Sequence, residues 1–168
     1  MADIRESIES AVQYLSAHSD EARYTDTSAR ATLGEVLRVD VSGESGERLR
    51  TDMPQAVGGR GEAPSPGWYY RAALASCVAS TVAMQAAQEG ITLSSLEVVV
   101  DSESDDRGIL GMDETIPVGP LSTRILIRAG TDSPGREIDE MIERGAARCP
   151  VRDATKRAVE VTTEIELQ

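Results

Sequence analysis

Apolar positions recur at two spacings along this chain, and the switch between them marks out its elements. Ile4, Ile8, Ala11, Val12 and Leu15 fall at helical spacing, so residues 3–18 form a short amphipathic helix whose apolar stripe needs a surface to dock on. The period then changes to alternation. Residues 29–41 read as one strand, with Leu33, Leu37, Val39 and Val41 on one side and Arg30, Thr32, Arg38 and Asp40 on the other. Gly43-Glu44-Ser45-Gly46 turns the chain into a short strand through Leu49. Gly58-Gly59-Arg60-Gly61 is a loop, and Ser65-Pro66 suits a helix N-cap with proline at the first helical position.

The helix that follows, 67–88, is apolar nearly all round: Ala72, Ala73, Leu74, Ala75, Cys77, Val78, Ala79, Val82, Ala83, Met84 and Ala86 leave few polar positions. Such a helix is a buried one, and Gly90 supplies its stop. Strands follow at 93–102 and 121–129, the second alternating Leu121, Thr123, Ile125 and Ile127 inward against Ser122, Arg124 and Arg128. Residues 105–120 between them read as a turn and a loop. Ser133-Pro134 opens another helix with the stripe Ile138, Met141 and Ile142, and 153–156 add a short helical turn. A last strand sets Val159, Val161, Thr163, Ile165 and Leu167 against Glu160, Thr162, Glu164 and Glu166. The order is β-β-α-β-β-α-β behind an N-terminal helix, an α+β class with one central helix. Residues 1–20 read as a helical extension and 21–168 as the domain proper.

Composition narrows the function. The chain has no phenylalanine and only 3% aromatic residues, so its core is built from Val, Ile, Leu, Met and Ala, which favours packing against a second subunit. Seventeen basic against 29 acidic residues give a net charge of −12, which argues against nucleic acid, whose binding rests on neutralising phosphates. No segment is apolar enough to span a bilayer. The charged start lacks the order of a secretory signal, so a cytoplasmic location is expected, with no membrane partner. There, a cysteine pair means catalysis or sensing more often than a structural disulfide.

Two cysteines are present, Cys77 and Cys149, with a single histidine, His18. One histidine near the end of a surface helix gives little for a Ser-His-Asp or Cys-His mechanism. Two cysteines and one histidine, widely separated, do not make a metal signature, so no metal is expected. The glycines at 58–61 match neither a P-loop nor a dinucleotide fingerprint. The acidic run 101–106 lacks calcium-loop spacing and reads as a solvated strand end. What remains is thiol chemistry. A peroxidatic cysteine must be a thiolate, held so by a positive neighbour or by helix N-terminal amides; its attack on an O–O bond gives a sulfenic acid that a second thiol condenses with. Cys77 lies about three turns into its helix, away from those amides, and as an isolated residue would pass for a small core side chain. Cys149, before Pro150, stands at a helix start, so local reading makes it the more reactive. Trp68, Tyr69 and Tyr70 at the start of the central helix line a pocket for an apolar substrate or pack an interface.

Together, Asp52-Met53-Pro54, Gly58-Gly59, Pro64-Ser65-Pro66, the run Ala72 to Cys77 and Cys149-Pro150-Val151 resemble the OsmC/Ohr family, the osmotically inducible and organic hydroperoxide resistance proteins. The resemblance runs from about residue 28 to the C-terminus and leaves out residues 1–20. It implies an OsmC-like fold, an intertwined homodimer whose central buried helices pack on antiparallel sheets from both subunits. It also implies reduction of organic hydroperoxides, with Cys77 peroxidatic and Cys149 resolving, the reverse of the local reading. The reductant it implies is a dithiol such as dihydrolipoamide, and no cofactor is held. An arginine from the first strand would activate the thiol; Arg38 and Arg30 both fit, with Arg38 preferred. The chain departs from the pattern once. The family's glutamate just after the helix-opening proline is replaced by Gly67-Trp68-Tyr69, leaving Glu62 as the nearest carboxylate. The alternative is a non-catalytic or redox-sensing dimer that binds a small apolar or thiol ligand beside Trp68.

Overall fold

The computed structural model describes residues 3–132 and 134–167. The chain divides into two compact units, one ending at Ala73 and the other beginning at Leu74.

In the first unit, α1 (Ile4–Ala17) is capped by the Asp3 carboxylate, which accepts from the Arg5 N–H at 2.8 Å. Its apolar stripe stays open, with Ile4, Val12 and Leu15 exposed. The strand read over 29–41 is two strands. β1 (Ala29–Leu33) and β2 (Val39–Gly43) are an antiparallel pair with Leu33 opposite Val39. The chain reverses between them through a turn in which Val36 takes a left-handed backbone, φ 58°, a conformation that strict alternation could not reveal. Arg38 therefore stands in the turn at the foot of β2. β3 (Arg48–Thr51) adds on the other side of β2. One face of this sheet carries Ala31, Val41 and Leu49 in line, and the other Arg30, Ser42 and Arg48. β1 is exposed at every position.

α2 (Pro66–Glu89) starts as the Ser65-Pro66 pair dictates: the Ser65 hydroxyl accepts from the Trp68 N–H at 3.3 Å. It ends at Gly90, whose φ of 71° lets the chain turn away where a side chain would be strained. Within one chain the helix is covered on one side. Leu74, Val78, Val82 and Ala86 are buried, whereas Ala73, Ser76, Ser80 and Met84 on the opposite side are exposed. A single chain supplies cover for one face only.

In the second unit, β4 (Ser95–Glu103) and β5 (Ser122–Gly130) form an antiparallel ribbon. Leu96, Val98, Val100, Ile125 and Ile127 pack on the buried face of α2, and Arg128–Glu97 and Arg124–Asp101 ion pairs cross the ribbon at 2.5 and 2.6 Å. The connection contains a short helix, α3 (Asp106–Ile109). α4 (Arg136–Ala147) begins after Gly135; the Ser133 half of the expected cap lies outside the described residues. α5 (Pro150–Lys156) is longer than the single turn expected. The last strand does not form: 157–167 runs outside any sheet, with Val161, Ile165 and Leu167 at 84%, 80% and 93% exposure. Alternation assigns such a segment its two faces, but a strand also needs a neighbour's backbone, and no strand of this chain pairs with it among the described residues.

α4 approaches α2 through Gly145, where a Cβ would stand 2.7 Å from the Val82 Cα and 3.1 Å from the Gln85 Cβ. Gly145→Ala is expected to force the helices apart and to cost about 1–3 kcal/mol, the range of overpacking in a close-packed core. A urea titration should show the midpoint falling at constant slope.

Candidate functional site: the Cys77–Cys149 thiol pair

Both cysteines are free thiols in the second unit. Cys77 follows the buried residue Leu74 by one turn and is partly buried against the core. Cys149 follows the end of α4 and is the N-cap of α5, with Pro150 at the first helical position. Its N–H donates to the Ala146 carbonyl at 3.3 Å and its carbonyl accepts from the Asp153 N–H at 2.9 Å. These bonds turn its side chain into the cluster of Leu74, Val78 and Val82, where it is 0% exposed. Cys77 packs against the same cluster, so both thiols border one apolar core.

The electrostatics differ from what a helix start alone implies. The Arg152 N–H donates to the Cys149 sulfur at 3.3 Å, and the Val151 amide also favours its thiolate. Burial outweighs them. Desolvation, then the hydrogen bond to Cys77, then negative charge on Cys77 push the Cys149 thiol above its ordinary value. Cys149 is thus a protonated thiol held against its partner, and the N-terminal amides that made it look reactive do not decide its state.

The other residues singled out in the sequence belong to the first unit. Arg38 closes the β1–β2 turn, its N–H donating to the Glu35 carbonyl at 3.1 Å and its carbonyl accepting from the Gly34 N–H at 2.8 Å. Its guanidinium folds over Gly34, and its buried Nε has no hydrogen-bond partner among the described residues. Arg30 is exposed on β1 opposite Ser42. Glu62 is exposed, and its backbone N–H donates to Asp52 at 3.0 Å. Trp68 and Tyr69 meet edge to face, with ring centroids 5.1 Å apart and Trp68 49% exposed. Gly67, in the place of the family's glutamate, has the Arg71 guanidinium 3.8 Å from where its Cβ would be.

Sequence reading named Asp52 only as part of a motif, yet it organises the loop before α2. It is 2% exposed and accepts from the backbone N–H groups of Met53, Arg60 and Glu62 at 2.8, 3.2 and 3.0 Å. Those bonds, that to Glu62 foremost, hold its carboxyl below the usual range. An aspartate just before Pro54 and the glycines at 58, 59 and 61 was the available signal. Among the described residues, no group of three or more His, Cys, Asp or Glu side chains could hold a metal, and no helix is long and apolar enough to cross a membrane.

A thiol pair buried between a central helix and a capped C-terminal helix, backed by an antiparallel ribbon, defines an α+β protein built around two cysteines. The family model for OsmC-like protein matches residues 59–164, and the chain belongs to this family. The match starts at Gly59, so Arg38 and the three-stranded sheet fall outside it. The fold is shared with an OsmC-like protein of Mycoplasma pneumoniae, 17% identical with a TM-score of 0.66 over 81% of this chain and 91% of that one. It is also shared with the organic hydroperoxide resistance protein OsmC of Legionella pneumophila (20% identity, TM-score 0.59, 80% and 91% coverage). OhrB of Bacillus subtilis, likewise an organic hydroperoxide resistance protein, is 20% identical with a TM-score of 0.51 over 84% and 98%. Among curated proteins none matches this sequence.

The thiols are expected to label in order. With limiting iodoacetamide, peptide mapping should find Cys77 modified first and Cys149 only as pH rises well past the ordinary thiol range. In Cys77→Ser the Cys149 profile should move down in pH, because two of the causes that raise it are gone while burial stays.

Proposed function

We propose that this protein is a cysteine-based peroxidase of peroxide-stress defence that reduces organic hydroperoxides. The observation that carries the reading is the placing of both thiols at one apolar cluster, with Cys149 fully buried in it and Cys77 packed against it. The Cys77 thiolate attacks the terminal oxygen of the hydroperoxide. The O–O bond breaks, the alkoxide leaves as an alcohol with one proton, and Cys77 becomes a sulfenic acid. The Cys149 sulfur then attacks that of Cys77, and the hydroxyl leaves as water with the Cys149 proton. A dithiol such as dihydrolipoamide returns both thiols by exchange. Because Cys149 is held neutral it does not compete for the peroxide. The surrounding Leu74, Val78 and Val151 favour an alkyl hydroperoxide over a small polar one.

In this reading Arg38 supplies the positive charge that keeps Cys77 ionised, being permanently protonated and carrying a buried Nε without a partner. Trp68, Tyr69 and Glu62 border the substrate path. Residues 21–168 act as the OsmC-like domain and residues 1–20 as an extension. The names of the structural neighbours from Legionella and Bacillus, organic hydroperoxide resistance proteins, support the substrate class. The alternative, a sensing or binding dimer, is favoured by one observation: Gly67 stands where the family's glutamate would, beside the exposed Trp68.

Mass spectrometry of the reduced protein separates the two. After one equivalent of cumene hydroperoxide, the wild type should lose two hydrogens rapidly and Cys77→Ser should not. Cys149→Ser should instead accumulate a dimedone-reactive sulfenic acid on Cys77. A wild type that stays reduced over minutes rejects the peroxidase in favour of the binding dimer.

The protein acts as a homodimer in this proposal. Two uncovered features support it: the Ala73, Ser76, Ser80 and Met84 side of α2, and the extended segment 157–167. The latter carries Glu160, Glu164 and Glu166 in its sequence, opposite in charge to Arg30 and Arg48 on the polar face of the three-stranded sheet. Val161→Glu combined with Ile165→Glu is expected to shift the protein from dimer to monomer in light scattering. A double variant that remains dimeric removes this segment from the interface.

A further inference from the structure

The departure at Gly67 leaves open what holds the activating arginine in place. The β1–β2 turn is weakly built: it rests on the two backbone bonds that Arg38 makes to Gly34 and Glu35, and Val36 within it takes a backbone that β-branched residues rarely adopt. One side-chain interaction reaches it from elsewhere. The Arg60 guanidinium pairs with Glu35 at 3.2 Å, and Arg60 belongs to the loop caged by Asp52, whose carboxylate accepts from the Arg60 N–H itself at 3.2 Å. A second backbone bond, from the Gly61 N–H to the Met53 carbonyl at 3.1 Å, tightens the same loop. An anchored loop thus grips the tip of a strained turn.

The geometry points to Glu35 and Arg60 as positioning residues that latch the Arg38 turn and so do the work the family assigns to a glutamate in the central helix. The inference rests on the reading of Arg38 as the activator of Cys77. The guanidinium of Arg38 lies over the turn, with Nη2 and Nε 3.4 and 3.5 Å from where a Gly34 Cβ would be. Its position follows the turn because no side-chain bond of its own fixes it among the described residues. A carboxylate in the helix would hold the arginine directly. Here the chain holds the backbone that carries it, through an ion pair on Glu35, one residue before the turn's αL position.

The test uses the full-length protein and the pH profile of Cys77 alkylation by iodoacetamide, read by peptide mapping. Glu35→Gln and Arg60→Gln are each expected to slow labelling at neutral pH by about twofold to fivefold, the scale of one exposed ion pair, and to move the profile upward. The exchanged pair, Glu35→Arg with Arg60→Glu, should restore most of the wild-type rate. In an Arg38→Met background, Glu35→Gln should add nothing, because the latch acts only through that arginine. If Arg38→Met slows labelling while Glu35→Gln and Arg60→Gln do not, the latch is wrong and the role of Arg38 stands. If Arg38→Met leaves the profile unchanged, both fall. A Glu35→Gln effect that persists without Arg38 shows a general structural role and also overturns the latch.

Discussion

Burial of Cys149 against the Leu74–Val78–Val82 stripe of α2 is the contact on which the core of the second unit depends. It ties the N-cap of α5 to the central helix, at the cluster against which Cys77 also packs. The same burial pushes the Cys149 thiol above its ordinary value. Two amides at the start of a short helix favour the thiolate, but removing a charge from water costs more than two such bonds return.

That contact needs close approach of α4, and Gly145 provides it. With no side chain there, the helix reaches the backbone of α2 at Val82 and lets Ala146 and Cys149 enter the core. On the opposite side the ribbon of β4 and β5 seals the pair with aliphatic side chains, while its outer face is laced by arginine–carboxylate pairs. The pair sits in an apolar shell with one half-buried member.

The first unit solves a different problem. A loop rich in glycine has many conformations to lose, and Asp52 compensates by gathering three backbone N–H groups onto one buried carboxylate. The loop so fixed delivers Ser65 and Pro66 to start α2 and presents Arg60 to the β1–β2 turn. An arginine at the surface of that loop reaches the neighbouring turn through an exposed ion pair with Glu35. The cost is that an exposed ion pair is weaker than a buried one.

Much of this was written in the sequence because it depends on neighbours in the chain. Helical spacing placed α1 and α2, Ser65-Pro66 and Gly90 marked the ends of α2, and alternation located the ribbon and the apolar faces of its strands. The motif around Cys77 and Cys149 pointed to the family, which the family model bears out. What the sequence could not carry depended on groups far apart in the chain. The reversal at Val36 breaks no alternation, since Leu33 and Val39 face the same way across a hairpin as along a strand. The segment 157–167 has the pattern of a strand, yet pairing requires an edge that this chain does not bring to it. The protonation of Cys149 turned on desolvation, which a local reading cannot weigh. Periodicity records which side of an element is apolar; only tertiary structure decides what lies against that side, and hence how far a thiol such as Cys149 is taken out of water.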